Sequence, residues 1–232
     1  MMAGAAPTPG SQEVALSGLS IPAVLAALAE QRPVFHSEAD FQHTLAWEIH
    51  RRLPDASVRL ERPVKPLTGG KPLHVDIWVE RDGEILAIEL KYKTRALQTS
   101  ERGEEFVLQN HSAQDIARYD FIKDVWRVET IVANYANATG YAILLTNDPS
   151  YWTRSHNNRT VDAEFRLHQG RELHGTLDWG SHASEGTKRG REKLLRLAGS
   201  YPLQWEDYSR ATAEAKWAKF RYLVVEAKRP RG

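Results

Sequence analysis

Three charged residues flanking one predicted β-turn form the strongest chemical pattern in this sequence: Asp76, Glu89 and Lys91. The turn is Asp82-Gly83, which separates two β-rich segments, and Asp-Gly in that position predicts a two-residue hairpin. Because the turn fixes the pairing of such a hairpin, counting outward places Asp76 directly opposite Glu89. Opposed residues have Cβ atoms about 4.5–5.5 Å apart, and like charges at that distance destabilise a sheet. The two facing carboxylates therefore call for a partner of opposite charge.

A divalent cation between Asp76 and Glu89 would be such a partner. Side chains alternate along a strand, so Lys91 and, across the hairpin, His74 are predicted to share the face of the two carboxylates. Mg²⁺ binds carboxylate and carbonyl oxygens, and a bound cation lowers the pKa of a water ligand and stabilises charge on a phosphoryl oxygen. Lys91 would orient the attacking water or neutralise the developing negative charge. The pattern predicts phosphodiester hydrolysis, and the other face of the hairpin is predicted to supply core through Val75, Ile77, Ile88 and Leu90.

The elements expected around this hairpin alternate between helix and strand. Ser20 and Ser37 are predicted N-caps of the first two helices. A long helix capped by Ser112 leads to the last strand of the core, and such a helical crossover implies parallel pairing with a right-handed connection. The predicted elements are helices at 20–31, 37–52 and 112–134, strands at 58–64, 73–81, 84–92 and 141–146, and polar loops at 65–72 and 93–111. The predicted class is α/β with a mixed central sheet in the order α-β-β-β-α-β.

The remainder of the chain is predicted to be a β-rich C-terminal elaboration of that core. A second hairpin is expected around Gln169-Gly170 within 165–177, a short helix or strand at 193–199, and a last strand at 220–228. The expected organisation is a single domain overall. Its parts are a flexible tail at 1–13, a core with an N-terminal helix at 14–147, and the elaboration packed on the core at 148–232.

Composition narrows the functional classes. The chain has 232 residues, of which 41% are hydrophobic and 26% charged, as is ordinary for a globular protein. It contains no cysteine, so disulfides and thiolate metal sites are excluded. The sequence contains no run of about 18 apolar residues, so no membrane span is predicted. No secretory signal is recognisable, and a cytoplasmic location is therefore expected.

Charge is unevenly distributed along the chain. The net charge is only +1, but the segment from Lys188 onward holds twelve Lys or Arg against five Asp or Glu. This segment could offer a surface to phosphates, and it could equally be a solvated charged face. Residues 118–129, whose charges alternate in sign at helical spacing, are predicted to form an exposed, ion-paired helix face.

The motif Asp-x12-Glu-x-Lys across a hairpin, within the order α-β-β-β-α-β, resembles the PD-(D/E)xK nuclease superfamily, whose fold is called restriction-endonuclease-like. The resemblance covers residues 37–146. It implies that Asp76 and Glu89 hold one or two Mg²⁺ ions, for which Mn²⁺ can substitute. By the same resemblance, the Leu90 carbonyl is a further ligand and Lys91 assists the nucleophilic water. A nuclease acting on nucleic acid, in the first place DNA, is implied, and a homodimer is possible because many members cut both strands as dimers.

The resemblance also points to residues on the two core helices. Many members add a glutamate from the first helix, and Glu38 is favoured over Glu48 because it lies at the centre of that helix's apolar face. Glu38 thereby joins the predicted catalytic and metal-binding residues, although an acidic residue there also stabilises a helix N-terminus. Gln114, with Tyr119, is similar to the Gln-x-x-x-Tyr element of RecB-like members, with one extra residue, and is a further predicted site residue. Val75 stands where the name of the motif has a proline.

Other functions remain open at this stage. One is a catalytically inactive nucleic-acid-binding module on the same fold. Another is a hydrolase of a small phosphorylated compound, which the modest net charge favours. A third is an unrelated α/β domain in which Glu89 and Lys91 form a surface ion pair.

Overall fold

The computed structural model describes residues 16–65, 72–157, 159–212 and 214–229. The predicted flexible tail at 1–13 and most of the predicted loop at 65–72 lie outside the described residues. The helices are α1 Ile21–Gln31, α2 Glu38–Arg52, α3 Gln114–Asn134 and the short α4 Glu185–Lys188. The strands are β1 Ser57–Val64, β2 Leu73–Arg81, β3 Glu84–Lys93, β4 Leu97–Glu101, β5 Glu104–Leu108, β6 Ala138–Thr146, β7 Glu172–Leu177, β8 Leu195–Pro202, β9 Trp205–Arg210 and β10 Lys219–Lys228.

Six of these strands form one mixed sheet in the order β1-β2-β3-β6-β10-β9. β3 and β6 run parallel, with α3 as the connection between them, and the other neighbouring strands are antiparallel. The prediction of an α/β fold with a mixed central sheet is therefore confirmed. β10 pairs with β6, so the C-terminal segment contributes directly to the central sheet. The division of the chain between 147 and 148 stays a prediction.

The β2–β3 hairpin has the register that the sequence predicts. Arg81 pairs with Glu84 across the turn, and the pairing continues inward from there. Asp82 and Gly83 have φ angles of 51° and 78°, the left-handed conformation that a type I′ turn requires at both positions. Glycine adopts this conformation without steric cost, so the Asp-Gly pair fixes which residues of the two strands face each other.

Helices cover both faces of the sheet. α1 and α2 pack on one face, against a core that includes Ile77, Ile88 and Leu90. α3 packs on the other face, whose core includes Val75 and Trp78. The prediction that Val75 points to the same face as Ile77 is therefore wrong, because the alternation of side chains along β2 is interrupted between these two residues.

A glycine lets α3 lie close to the sheet. A Cβ atom placed on Gly140 of β6 would lie 2.7 Å from the Cβ of Val128 on α3, closer than two real carbon atoms pack. A residue without a side chain therefore fits this position best, and α3 rests against β6 and β3.

The predicted N-cap residues are correct for two of the three helices. Ser20 and Ser37 cap α1 and α2, because each serine oxygen accepts a hydrogen bond from a backbone N–H of the first turn. The predicted cap of α3 at Ser112 is wrong: the N-cap residue is Ala113, which has a φ of 67° and no side chain that could accept a hydrogen bond.

Several expected loops and pairings differ from the observed ones. The predicted polar loop at 93–111 contains the ribbon β4–β5, which turns at Arg102-Gly103 with φ angles of 52° and 84°. The predicted hairpin around Gln169-Gly170 is not formed, because β7 pairs with the distant β8. β8 covers the segment predicted as a helix or strand, and β9 was not predicted. None of the helices in the described ranges is both long and apolar enough to span a membrane.

Candidate active site

The β2–β3 pairing ends one residue pair before the predicted Asp76–Glu89 pair. There the side chain of Asp76 replaces the strand backbone as acceptor, since its Oδ2 atom accepts a hydrogen bond from the N–H of Leu90 at 2.7 Å. The backbone carbonyl of Asp76 accepts a hydrogen bond from the Gln42 side chain on α2, also at 2.7 Å. Burial raises the pKa of Asp76, while the positive charge of Lys91 and the Leu90 hydrogen bond oppose that shift. The two strands thus separate at Asp76, and we call this point the strand fork.

Glu89 is fully buried on β3, with an exposed fraction of 0%. Neither of its carboxylate oxygens accepts a hydrogen bond from a described residue, although the guanidinium of Arg127 lies 2.9 Å from Oε1. Burial raises the pKa of Glu89 well above its ordinary value, and the carboxylates of Asp124 and Asp76 raise it further. A buried carboxylate without hydrogen bonds is energetically costly, so a cation in contact with it would stabilise the protein.

Lys91 lies beside these carboxylates. Its Nζ atom is 2.9 Å from Oδ2 of Asp124 and donates a hydrogen bond to the Leu90 carbonyl at 3.1 Å. Burial lowers the pKa of Lys91, but the carboxylates of Asp124, Glu38 and Asp76 outweigh burial, so the pKa is raised overall. Lys91 is therefore a permanent positive charge at neutral pH and a hydrogen-bond donor, and it is not suited to act as a general base.

Two residues of α3 that the sequence analysis did not select complete the cluster: Asp124 and Arg127. Asp124 is 3% exposed, and burial raises its pKa to about 6 against the opposing effect of Lys91. Arg127 lies 2.9 Å from the Glu89 carboxylate and 3.7 Å from that of Asp124. It also donates a hydrogen bond to the backbone carbonyl of His74. α3 therefore supplies both a third carboxylate and a second cation.

The prediction that residues 118–129 form an exposed face is consequently wrong. Asp124 is buried, as is Arg118 nearer the start of the helix. A signal was present in the sequence, because Asp124 lies three residues after Phe121 and four before Val128, which are both fully buried. At helical spacing this places Asp124 on the apolar face of α3, where a lone carboxylate is costly.

The two candidate glutamates of α2 have different surroundings. Oε2 of Glu38 accepts a hydrogen bond from the Tyr92 N–H at 2.8 Å and lies 3.1 Å from Nζ of Lys93. Glu48 is buried and is bound at 2.9 and 2.7 Å by two arginines of its own helix. The structure thus places Glu38, and not Glu48, at the end of β3 that carries the site lysines.

Gln114 is not brought together with the cluster. Its side-chain amide donates a hydrogen bond to Asp148 at 3.1 Å, and α3 separates Gln114 from Asp124 by ten residues, which is about 15 Å of helix. Tyr119 is buried, and its hydroxyl donates a hydrogen bond to the Lys193 carbonyl at 2.8 Å. Both residues of the expected Gln-Tyr element therefore have other structural partners.

The assembled cluster contains three acidic and two basic side chains: Asp76, Glu89, Asp124, Lys91 and Arg127. Burial is the main cause of the raised carboxyl pKa values in this cluster, and repulsion between the neighbouring carboxylates adds to it. Within the described ranges, no group of three or more histidine and acidic side chains is arranged to hold a metal ion by itself. Two carboxylates and a backbone carbonyl are nevertheless sufficient for Mg²⁺, which keeps several water ligands.

Comparisons with other proteins identified no relatives. No protein-family model, no curated protein and no solved structure matches this chain. The functional argument therefore rests on the side chains of the cluster and on the elements that position them.

Proposed function

We propose that this chain is a metal-dependent nuclease that hydrolyses phosphodiester bonds of nucleic acid, with DNA as its substrate. The observation that carries the proposal is the state of Glu89, a fully buried carboxylate without a hydrogen bond on either oxygen. Asp76 lies beside it at the strand fork, and Lys91 and Arg127 supply positive charge. Such a costly arrangement is typical of sites whose groups act on a ligand.

The donor set fits a hard divalent cation. Asp76 and Glu89 would supply carboxylate oxygens, and the Leu90 carbonyl, now in contact with Lys91, would supply a third. Mg²⁺ commonly binds one or two carboxylates and completes its shell with waters and substrate phosphates, and Mn²⁺ suits the same donors. When bound, it would supply an activated water and stabilise negative charge on the phosphate. We assign Glu38 a positioning role, because its Oε2 atom already contacts Tyr92 and Lys93.

The basic residues of the cluster would act on the phosphate itself. Lys91 keeps its proton because its pKa is raised, so it would donate a hydrogen bond to a phosphate oxygen as negative charge develops. Asp124, 2.9 Å away, would hold the ammonium in place. Arg127 has a guanidinium fork that suits a phosphate, and it would bind one once a cation has replaced it beside Glu89.

The arrangement of the elements supports the restriction-endonuclease-like interpretation. Apart from the ribbon β4–β5, which lies between β3 and α3, the order α2-β1-β2-β3-α3-β6 agrees with the α-β-β-β-α-β core that the motif implies, and β3 is parallel to β6. The β2–β3 pairing ends at the point where the motif residues meet. A homodimer stays a prediction, since nothing in the fold selects a dimer surface.

The experiment is a cleavage assay on single- and double-stranded DNA and on RNA, with Mg²⁺ or Mn²⁺, using wild type, Lys91→Ala and Asp76→Ala. A matched control is Lys228→Ala, which removes the lysine of a second Glu-x-Lys sequence, where Lys228 pairs with Glu226 at 2.8 Å. We expect both cluster variants to lose about 100-fold or more of the rate, and the control to stay within about twofold. The proposal would be contradicted if cleavage did not require a metal ion, or if both cluster variants cleaved at the wild-type rate. Hydrolysis of nucleotides without cleavage of DNA or RNA would instead indicate a hydrolase of small phosphorylated compounds.

One observation favours a second function, a nucleic-acid-binding module that no longer cuts. Arg127 neutralises Glu89, and Lys91 neutralises Asp124, so the cluster can persist as buried ion pairs without a metal. Binding of DNA that does not change with Mg²⁺ or in Lys91→Ala, together with no cleavage of any substrate, would establish this function instead.

A further inference from the structure

A small basic cavity lies outside the proposed catalytic cluster, in the segment between β6 and β7. It has a volume of about 160 Å³, the room of roughly five water molecules at ~30 Å³ each. Its wall includes Arg154, Arg166, His168 and Arg171, and the other lining residues are polar or small and carry no charge. We call this feature the arginine cavity.

The positive charges of the arginine cavity are only partly compensated. Arg166 lies 3.2 Å from Asp162, but that carboxylate is shared with Arg118, which lies 2.5 Å from its other oxygen. Within the described residues, neither Arg154 nor Arg171 forms an ion pair with a carboxylate. Positive charge therefore exceeds negative charge at the cavity wall, and an anion is the ligand class that this wall suits.

Arg171 is held in place rather than free. Its guanidinium donates hydrogen bonds to two backbone carbonyls, those of Glu164, at 2.6 Å, and Arg166. These neutral acceptors orient the group without neutralising its charge. The Glu164 carboxylate accepts the Asp178 N–H at 2.6 Å, and its negative charge offsets the positive charge of Arg171 only in part, without forming an ion pair with it. An oriented guanidinium loses less conformational entropy on binding an anion than a free one.

The pKa of His168 reports the same electrostatic environment. Burial lowers this pKa, and the charges of Arg171, Arg154 and Arg166 lower it further. The three arginines therefore act on one point of the cavity. An oxyanion with several acceptor atoms could accept hydrogen bonds from more than one of them.

The segment that carries the cavity starts at the edge of the sheet where β3 ends, two residues beyond Lys91. Lys93, at the end of β3, pairs with Thr146, at the end of β6, and the chain continues from there towards Arg154. Arg95 and Asp148 join the two strand ends by an ion pair of 2.9 Å. The cavity segment thus begins beside the end of β3, the strand that carries Glu89 and Lys91.

We propose that the arginine cavity binds a phosphate group, and that its source is the backbone of the nucleic acid substrate. The choice of this source rests on the proposed function, whereas the phosphate chemistry rests on the cavity alone. Contacts of this kind position a nucleic acid without reading its sequence.

The test measures binding of a short fluorescent single-stranded DNA, without metal, to full-length Lys91→Ala protein. Arg154→Gln is added to this background, and the matched control is Arg159→Gln, an exposed arginine five residues later that does not line the cavity. Arg154 is exposed as well, so its replacement should leave folding intact. We expect Arg154→Gln to weaken binding about fivefold and to reduce the slope of log K against log salt by about 0.7, and the control to change binding less than about twofold.

Inorganic phosphate distinguishes the source of the ligand. We expect phosphate to compete with DNA in the Lys91→Ala background and to lose this competition when Arg154→Gln is added. Equal binding of DNA and of phosphate by the Arg154→Gln and Arg159→Gln proteins would overturn the proposal. Phosphate binding that depends on Arg154 while DNA binding does not would overturn the nucleic-acid source. Absence of cleavage by wild type would bear on the proposed function only, because the binding assay needs no catalysis.

Discussion

The guanidinium of Arg127, on α3, lies 2.9 Å from the buried carboxylate of Glu89, on β3. The pair links the helix that covers the site to the strand that carries two of the three motif residues. The guanidinium also lies beside Glu89 where the proposed metal ion would bind, so the same contact stabilises the metal-free fold and would compete with that ion.

Replacing Arg127 by methionine should lower the free energy of unfolding by about 3 kcal/mol at neutral pH, because breaking a buried ion pair leaves an uncompensated charge. Urea denaturation with a two-state fit measures the change. Arg51→Met is the control, since Arg51 is 59% exposed and its partner Glu48 keeps a second arginine, so we expect a much smaller loss than in Arg127→Met. The double variant Arg127→Met/Glu89→Gln should recover part of the loss, and no recovery would contradict the pairing.

The contribution of Asp124 and Glu89 to the stability of the metal-free protein should fall as the pH rises. Asp124 has a pKa of 3.8 before folding and about 6 in the fold, and the pKa of Glu89 is also raised. At these groups the folded state therefore binds more protons than the unfolded state, and their contribution decreases between pH 3.8 and about 6. Glu89→Gln should flatten the decrease in the urea midpoint, whereas Glu80→Gln, at a carboxylate whose pKa is lowered, should not. An identical pH dependence of the midpoint in wild type and in Glu89→Gln would argue against these raised pKa values.

Metal binding should strengthen over the same pH range, because a carboxylate must lose its proton to bind a cation. Saturating Mg²⁺ should raise the melting temperature of wild type more at about pH 8 than at about pH 5. The increase should disappear in Glu89→Gln and Asp76→Asn and persist in Glu38→Gln, whose side chain contacts Tyr92 and Lys93. Loss of the increase in Glu38→Gln would make Glu38 a metal ligand instead of a positioning residue.

Gly140→Ala should disturb the site through the face of α3 that packs on the sheet. Its Cβ would lie 2.7 Å from that of Val128, so α3 must shift, at a cost of about 1–3 kcal/mol of unfolding free energy. Asp124 and Arg127 lie within a turn of Val128, so cleavage should fall as well. In the double variant with Val128→Gly, which removes that Cβ atom, the stability loss should be smaller than the sum of the losses of the two single variants, as measured by urea denaturation. Full additivity would show that this contact does not position the helix.

The local features of the site could be predicted from the sequence because they depend on neighbouring residues. Asp82-Gly83 determines the hairpin register, and side-chain alternation then places Glu89 and Lys91 on one face of β3. The caps at Ser20 and Ser37 are equally local. The interruption of β2 near Asp76 was not predictable in this way, because it depends on contacts with α2 and on the end of the ladder.

The features that the sequence did not reveal depend on distant partners or on weak signals. Asp124 and Arg127 sit in a run of alternating charges, and only their spacing relative to buried residues marks them as part of the site. β7 has the pattern of a strand but gives no sign that its partner is β8. The arginine cavity combines residues whose types are ordinary for a surface, and only folding brings them together.

The place of β10 between β6 and β9 has a consequence for how the protein is made. β6 lies in the middle of the sheet and is almost entirely buried, yet one of its hydrogen-bonding edges is satisfied only by the last strand described. During synthesis, all five residues of the cluster emerge from the ribosome well before β10 does. The nascent chain therefore carries an open apolar strand edge until β10 has been synthesised, and it should depend on chaperones during that interval.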